Sequence, residues 1–332
     1  MNLLPEISYA PADCIARTEA QFACKIPTPT NVRQSTIDVA RLVIRECFSK
    51  LNIVLLSYPR DAELESRVHA AVQTWEDSAL ALRYVPTALA FITTAYAHLS
   101  SIDLKIQLAL FVVLATALDE PAIMHALPSQ DFHARFCAGS VGMEHDMLGQ
   151  LVGVLEKMPE FYSRYAAAAM GAAALQFVNV SILENESRDV RLHADAKAFV
   201  EYRRVRSSVA EAYAHFVWEK ARFPDVNAYV QAIPDAILFI GYLNDVLSFY
   251  KEELEGEVGN YVGDRALVSG KSSLETLREV IDEAAAASDR IHKILGDGEA
   301  RDAWDAFVTG GIAFHVIDPR YRLQEVLGTQ YQ

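Results

Sequence analysis

The sequence predicts an all-α protein, a layered bundle of about ten helices. From Ser35 onward, apolar residues recur at spacings of three and four, the signature of helices that bury one face. The chain of 332 residues has only 15 glycines and 12 prolines, and Ala, Leu, Glu and Arg dominate long stretches, which favours helix. No alternation of apolar and polar residues persists long enough to build a sheet.

Taken in order, residues 1–34 read as an irregular entry segment, because Pro5, Pro11, Pro27 and Pro29 are spread among polar residues. Helices follow at 35–56, 61–77, 86–99, 102–120, 129–137, 141–157, 159–185, 193–221, 226–255, 273–295 and 299–316, with 326–332 as a tail. Tyr58-Pro59, Val85-Pro86, Glu120-Pro121, Phe223-Pro224 and Asp318-Pro319 mark breaks between them. The stretches Leu108–Leu118 and Tyr165–Leu183 carry no charge, so both belong at the centre of the bundle, ringed by other helices. Without a repeat, a low-complexity tract or a linker, residues 35–325 form one domain.

Composition narrows the function. A net charge of −14 excludes non-specific nucleic-acid binding, which needs a basic surface. Cys14, Cys24, Cys47 and Cys137 show no paired spacing and read as the reduced thiols of a cytoplasmic protein. The N-terminus lacks the basic start and long apolar run of a signal peptide. Gly171, Gln176, Asn179 and Ser181 interrupt the alanine-rich Tyr165–Leu183 stretch, which reads as a core helix, not a membrane span.

The strongest chemical signal lies in Asn244-Asp245-Val246-Leu247-Ser248-Phe249-Tyr250-Lys251-Glu252. Asn244, Ser248 and Glu252 stand at i, i+4 and i+8, one stripe of a helix. An amide oxygen, a hydroxyl and a carboxylate form a hard-oxygen set that Mg²⁺ accepts together with water and substrate phosphate. Lys251 lies within about 20° of Asn244 around the helix, placing a cation beside the stripe. A buried helix with a few self-satisfying polar groups is the plainer reading. Against it stands the cost of burying three such groups unpartnered.

Other charges sit where a core is expected. Asp119, at the end of a charge-free helix, shares a face with Val112, Ala115 and Thr116, although a carboxylate is badly placed at a helix C-terminus. Arg203 and Arg206 share a face with Phe199, Ala210 and Tyr213, whereas Arg204 lines up with Val200, Ser208 and Glu211 on a more polar one. An arginine on an apolar face calls for an anion, either a protein carboxylate or a diphosphate. Pro319 stops the last long helix and leaves Arg320 and Tyr321 on a turn. The histidines make no metal set, and GxSxG, P-loop and GxGxxG motifs are absent.

Together these residues resemble the class I terpene synthases, and most closely the trichodiene synthase family of fungal sesquiterpene cyclases. Asn244 to Glu252 looks like the family's NDxxSxxxE metal motif, and Asp318-Pro319-Arg320-Tyr321-Arg322 like its C-terminal Arg-Tyr pair. Asp119-Glu120 takes the place of the aspartate-rich motif, and Tyr202-Arg203-Arg204 that of the diphosphate-sensing segment. The family's first motif usually opens with two aspartates, which here read Asp119-Glu120-Pro121. The resemblance implies a class I terpenoid synthase α-bundle and three Mg²⁺ ions, with Mn²⁺ as a substitute. Asp119, Asn244, Ser248 and Glu252 would be the ligands, with Glu120 acting behind them. Arg203, Lys251, Arg320 and Tyr321 would bind diphosphate. Phe177, Phe239 and Phe314 are candidates for the cavity wall.

The implied reaction is ionisation of an isoprenyl diphosphate, farnesyl diphosphate first, to a sesquiterpene hydrocarbon or alcohol. An acyclic or monoterpene alcohol synthase of the linalool or nerolidol type and an inactive helical scaffold are the alternatives. A chain-elongating prenyltransferase should carry two DDxxD motifs, and this sequence has none. A homodimer is compatible with the reading.

Overall fold

The computed structural model describes residues 29–127, 131–141, 145–187, 190–257 and 259–327. Most of the irregular segment expected at 1–34, with Cys14 and Cys24, lies outside these, as does the tail from 328. Sixteen helices of very different lengths make up the described residues, with no strand among them. In the first half they are α1 (Pro29–Lys50), α2 (Ala62–Gln73), α3 (Ser78–Ala81), α4 (Val85–Ala95), α5 (Ile102–Leu118), α6 (Pro121–Ala126), α7 (Phe132–Cys137) and α8 (Met147–Phe161). The second half comprises α9 (Arg164–Glu186), α10 (Lys197–Ser207), α11 (Ala210–Phe216), α12 (Ile233–Glu255), α13 (Tyr261–Ser269), α14 (Ser273–Leu295), α15 (Glu299–Ile317) and α16 (Leu323–Leu327).

Local chemistry sets most of these ends. Asp61, Ser101, Asp146, Ser163 and Asn260 each accept a backbone N–H three residues on, capping α2, α5, α8, α9 and α13. Ser272 and Glu275 form a reciprocal capping box on α14. Gly256 and Gly270 close α12 and α13 in the left-handed region, where a Cβ would be strained.

Several elements depart from the sequence expectation. The helix expected over 193–221 is two, because Val209 turns left-handed (φ 50, ψ 17) and ends the run before α11. The helix expected from 226 starts at Ile233, with Pro234 in its first turn and two short 3-10 turns before it. Between Gly259 and Gly270, α13 forms where no helix was expected, and α1 begins at Pro29, ahead of 35.

The core runs through α4, α5, α11, α12, α14 and α15. As expected for a charge-free helix, α5 is buried nearly all round. The other charge-free helix, α9, is not ringed: Tyr165, Ala168, Ala172, Gln176 and Asn179 form an exposed stripe along it. Its alanines bury one face only, against α11, α10 and α8. At Gly310, α15 meets α4 backbone to backbone, and a Cβ there would collide with the Thr94 carbonyl and lie 2.8 Å from Ala95 Cα. By length and composition alone, Ser78–Ala95, Arg164–Glu186 and Val230–Glu255 could each cross a membrane. In the fold they pack against neighbouring helices: α4 on α15, α9 on α11, and α12 on α14.

Candidate active site

The predicted site residues gather at one end of the bundle, where α5, α9 and α15 finish and the second half of α12 runs past α10. On α12 the predicted stripe is real. Ser248, buried, donates its hydroxyl to Glu252. Burial lifts the Glu252 carboxyl to about 7, and the Ser248 hydrogen bond and Lys251 offset only part of that. Asn244, at the head of the stripe, takes a hydrogen bond from Arg204 at 3.4 Å and faces His315 Nε2 at 3.3 Å. Lys251 lies 3.6 Å from Glu255 and 3.8 Å from Glu257.

Of the two neighbouring arginines, it is Arg204 that meets the metal motif, whereas Arg203, expected at the diphosphate, pairs with protein carboxylates. The Arg204 Nε donates to Asp245 at 2.9 Å and its terminal nitrogen to the Gly241 carbonyl at 2.8 Å. Burial alone would lower the Arg204 pKa, yet Asp245 beside it and Glu252 beyond carry it above its usual value. Asp245 is itself raised, because burial outweighs the guanidinium. Arg203 is occupied by Asp264, the Gly259 carbonyl and, at 3.7 Å, Glu184. The reason is the way α10 docks: Val200 is 1% exposed and Phe199 37%, so the stripe of Val200 and Arg204 faces α12. Arg206 stacks outward on the Tyr202 ring, 3.8 Å from its centroid.

Asp119 caps α5 and is exposed to solvent, yet desolvation raises its carboxyl. Arg320, Lys251 and Arg204 all act on Asp119 by their charge and oppose that rise, which links the two halves of the predicted site. Arg320 also feels Glu120, an exposed residue at the start of α6, and Tyr84 feels both. Glu184, which sequence reading passed over, is raised by burial and lies within the influence of Arg203 and Asp119. Its only signal in the sequence is that it is the first charge after the Tyr165–Leu183 stretch.

Beneath these charges lies an aromatic layer. Tyr321 packs on His315 (4.4 Å between centroids) and Phe314 (5.4 Å), and Phe314 meets Phe91 at 4.8 Å. Tyr213 touches Phe91 and Phe111 edge-on, and Asp119 and Arg320 act on its phenol. Of the three predicted wall residues, Phe314 lies in this layer, while Phe239 packs against Trp304 and Phe177 is buried on α9. A hollow of about 490 Å³ lies elsewhere, around Pro159, Tyr162, Ser163 and Lys220, and contains none of the predicted residues.

The donor set fits a divalent cation. Asn244, Ser248 and Glu252 offer three hard oxygens in line, and Glu252 is a dehydrated carboxylate that a cation would relieve. No cluster of three His, Cys, Asp or Glu occurs among the described residues, since this set relies on an amide and a hydroxyl. Cys47 and Cys137 are free thiols and stand apart from it.

An all-α bundle with this oxygen stripe, basic side chains beside it and a layer of aromatic rings, has the architecture of the class I terpene synthases. Comparison gives the family. The trichodiene synthase family profile matches residues 79–332. Over 304 residues the chain is 45% identical to monoterpene synthase 25 of Postia placenta, covering 92% of each. It is 41% identical to terpene synthase 29 of the same fungus, over 89% of this chain and 88% of the relative. To the α-cuprenene synthase of Coprinopsis cinerea it is 29% identical, over 90% and 93%. The chain therefore belongs to the trichodiene synthase family and is, by that membership, a terpene synthase. The linalool/nerolidol synthase of Streptomyces clavuligerus shares the fold, with a TM-score of 0.54 at 12% identity over 81% of this chain and 98% of that one.

Proposed function

We propose that this protein ionises an allylic isoprenyl diphosphate in a Mg²⁺-dependent reaction and guides the carbocation to a terpene hydrocarbon or alcohol, with farnesyl diphosphate as the substrate. The observation that carries this reading is the Asn244, Ser248 and Glu252 stripe on α12, with Lys251 beside it and Arg204 behind it, both of whose charges, like that of Arg320, act on Asp119. Asn244, Ser248 and Glu252 on one side, and Asp119 on the other, would hold the metal. Bound there, Mg²⁺ supplies positive charge to stabilise a departing diphosphate.

The chain's own residues do the rest. Arg320, and Lys251 by leaving Glu255 and Glu257, would bind diphosphate oxygens, with Tyr321 donating from its phenol. Arg203 would join them by leaving Asp264. Arg204 anchors Asp245 and steadies the metal motif from behind. Phe91, Phe111, Tyr213 and Phe314 exclude water and offer ring faces to a cation.

A second reading, geranyl diphosphate as substrate, is favoured by the name of the 45% identical relative, a monoterpene synthase. We read the three long apolar helices as core elements of a cytoplasmic protein, since α12 carries the polar stripe itself. Incubation with geranyl, farnesyl and geranylgeranyl diphosphates, with volatile products and released diphosphate measured, tests the proposal. Mg²⁺-dependent product from farnesyl diphosphate is expected. Product from geranyl diphosphate alone selects the second reading, and none from any substrate returns the scaffold.

A further inference from the structure

We propose that His315 is a positioning residue that fixes the orientation of the Asn244 carboxamide, so that its oxygen and not its nitrogen is presented to the cation site. The inference rests on the metal reading above and adds to it a residue 71 positions away on another helix.

The argument is one of donors and acceptors. A guanidinium only donates, so the Asn244 atom that meets Arg204 at 3.4 Å must be the amide oxygen. The amide nitrogen then faces His315 Nε2 at 3.3 Å, and because it only donates, Nε2 must accept. An imidazole with an accepting Nε2 carries its proton on Nδ1. His315 Nδ1 lies 2.7 Å from the Gly311 carbonyl, which can only accept. Gly311, His315, Asn244 and Arg204 thus admit one consistent assignment. Flipping the amide sets N–H against N–H at Arg204. With the neutral ring it also forces the proton to Nε2 and leaves two lone pairs facing each other at Gly311.

The amide oxygen has two lone pairs. Arg204 uses one, which leaves the other for a cation. An asparagine turned the other way would offer a donor to the metal and hold no cation. The imidazole is itself clamped: the Tyr321 ring lies against it at 4.4 Å and Phe314 at 4.9 Å. The turn that carries Arg320 is therefore packed directly on the residue that aims Asn244.

Mn²⁺ binding to the full-length protein in the presence of inorganic diphosphate, followed by electron paramagnetic resonance, reads the effect without turnover. His315→Phe keeps a ring beneath Tyr321 and removes the acceptor. It should weaken Mn²⁺ binding by about 10–100-fold, the range for partners that orient a metal ligand. His315→Gln, whose amide oxygen can accept from Asn244 near the place of Nε2, should recover most of that loss. Wild-type affinity in His315→Phe, or an equal loss in His315→Gln, overturns the proposal. If the wild type binds no Mn²⁺, the metal reading fails first, and the orientation is still read directly by long-range ¹H–¹⁵N spectra of the wild type. A Nδ1–H tautomer at His315 is expected; a proton on Nε2 overturns the assignment even if neither variant folds.

Discussion

Arg204→Leu is the substitution with the largest consequence that the structure lets one calculate. Arg204 and Asp245 have side chains only 13% and 8% exposed, and the guanidinium also satisfies the Gly241 carbonyl and Asn244. Removing one partner of a buried pair leaves the other uncompensated, at a cost of about 3–5 kcal/mol. Unfolding entropy near 2.1 cal/mol/K per residue gives about 0.7 kcal/mol/K for a chain this long, so Tm should fall by about 4–7 °C. The loss should depend on pH. Burial already raises Asp245 with Arg204 present, and without it the carboxyl rises further. A raised folded pKa gives stability that is present at low pH and lost as pH rises, so the deficit should be larger at pH 8 than at pH 5.5. Thermal unfolding of the metal-free protein at both values measures it. In Arg204→Leu/Asp245→Asn, with no carboxylate left to strand, most of the loss should disappear. A fall in Tm of about 1 °C or less, or an equal fall at both pH values, would refute the reasoning.

Three further outcomes are expected. With Glu252 raised to about 7 in the metal-free protein, Mn²⁺ affinity should drop roughly tenfold per pH unit below 7, and metal-free Tm should fall as pH rises from 5 to 8; titrations at pH 6 and 8 with parallel unfolding curves check both. Asp119→Asn should reduce turnover at saturating Mg²⁺ far more than Glu120→Gln, because Lys251, Arg204 and Arg320 together act on Asp119, whereas Glu120, at the start of α6, acts on Arg320; equal losses in steady-state assays would show both carboxylates acting alike. Gly310→Ala should lower Tm by the equivalent of about 3 kcal/mol or more, since the new methyl meets backbone and not a side chain that can turn away.

How much was legible in the sequence follows from how local each feature is. Asn244, Ser248 and Glu252 share one helix, and four-residue spacing alone puts them on a stripe. Asp119 was legible as a charge at the end of an apolar run, and Arg320 with Tyr321 as a pair behind a helix-stopping proline. The choice between Arg203 and Arg204 was not local. It depends on which face of α10 meets α12, and periodicity misleads there because Phe199 and Tyr202 are exposed apolar residues. The break at Val209 was hidden for a related reason: a β-branched residue gives no warning of a left-handed conformation imposed by packing. Phe239 and Phe177 were indistinguishable from wall residues because a core and a cavity lining use the same side chains.

The backbone contact at Gly310 has a bearing on how this fold can change shape. Thr94 and Ala95 touch α15 directly, one turn from Phe91 on α4, and Phe314 stands one turn beyond Gly310. Two of the aromatic rings therefore belong to a rigid wall, whose spacing no side-chain substitution at the contact can narrow. On the other side of the aromatic layer is α11, which follows the left-handed turn at Val209, packs on α12 and α9, and meets α4 through side chains, Tyr213 edge-on to Phe91. Contacts made by side chains can be altered by substitution where a backbone contact cannot. Substitutions around Val209, Tyr213 and Phe216 should redistribute products, whereas those along the α4 and α15 seam should mainly cost stability.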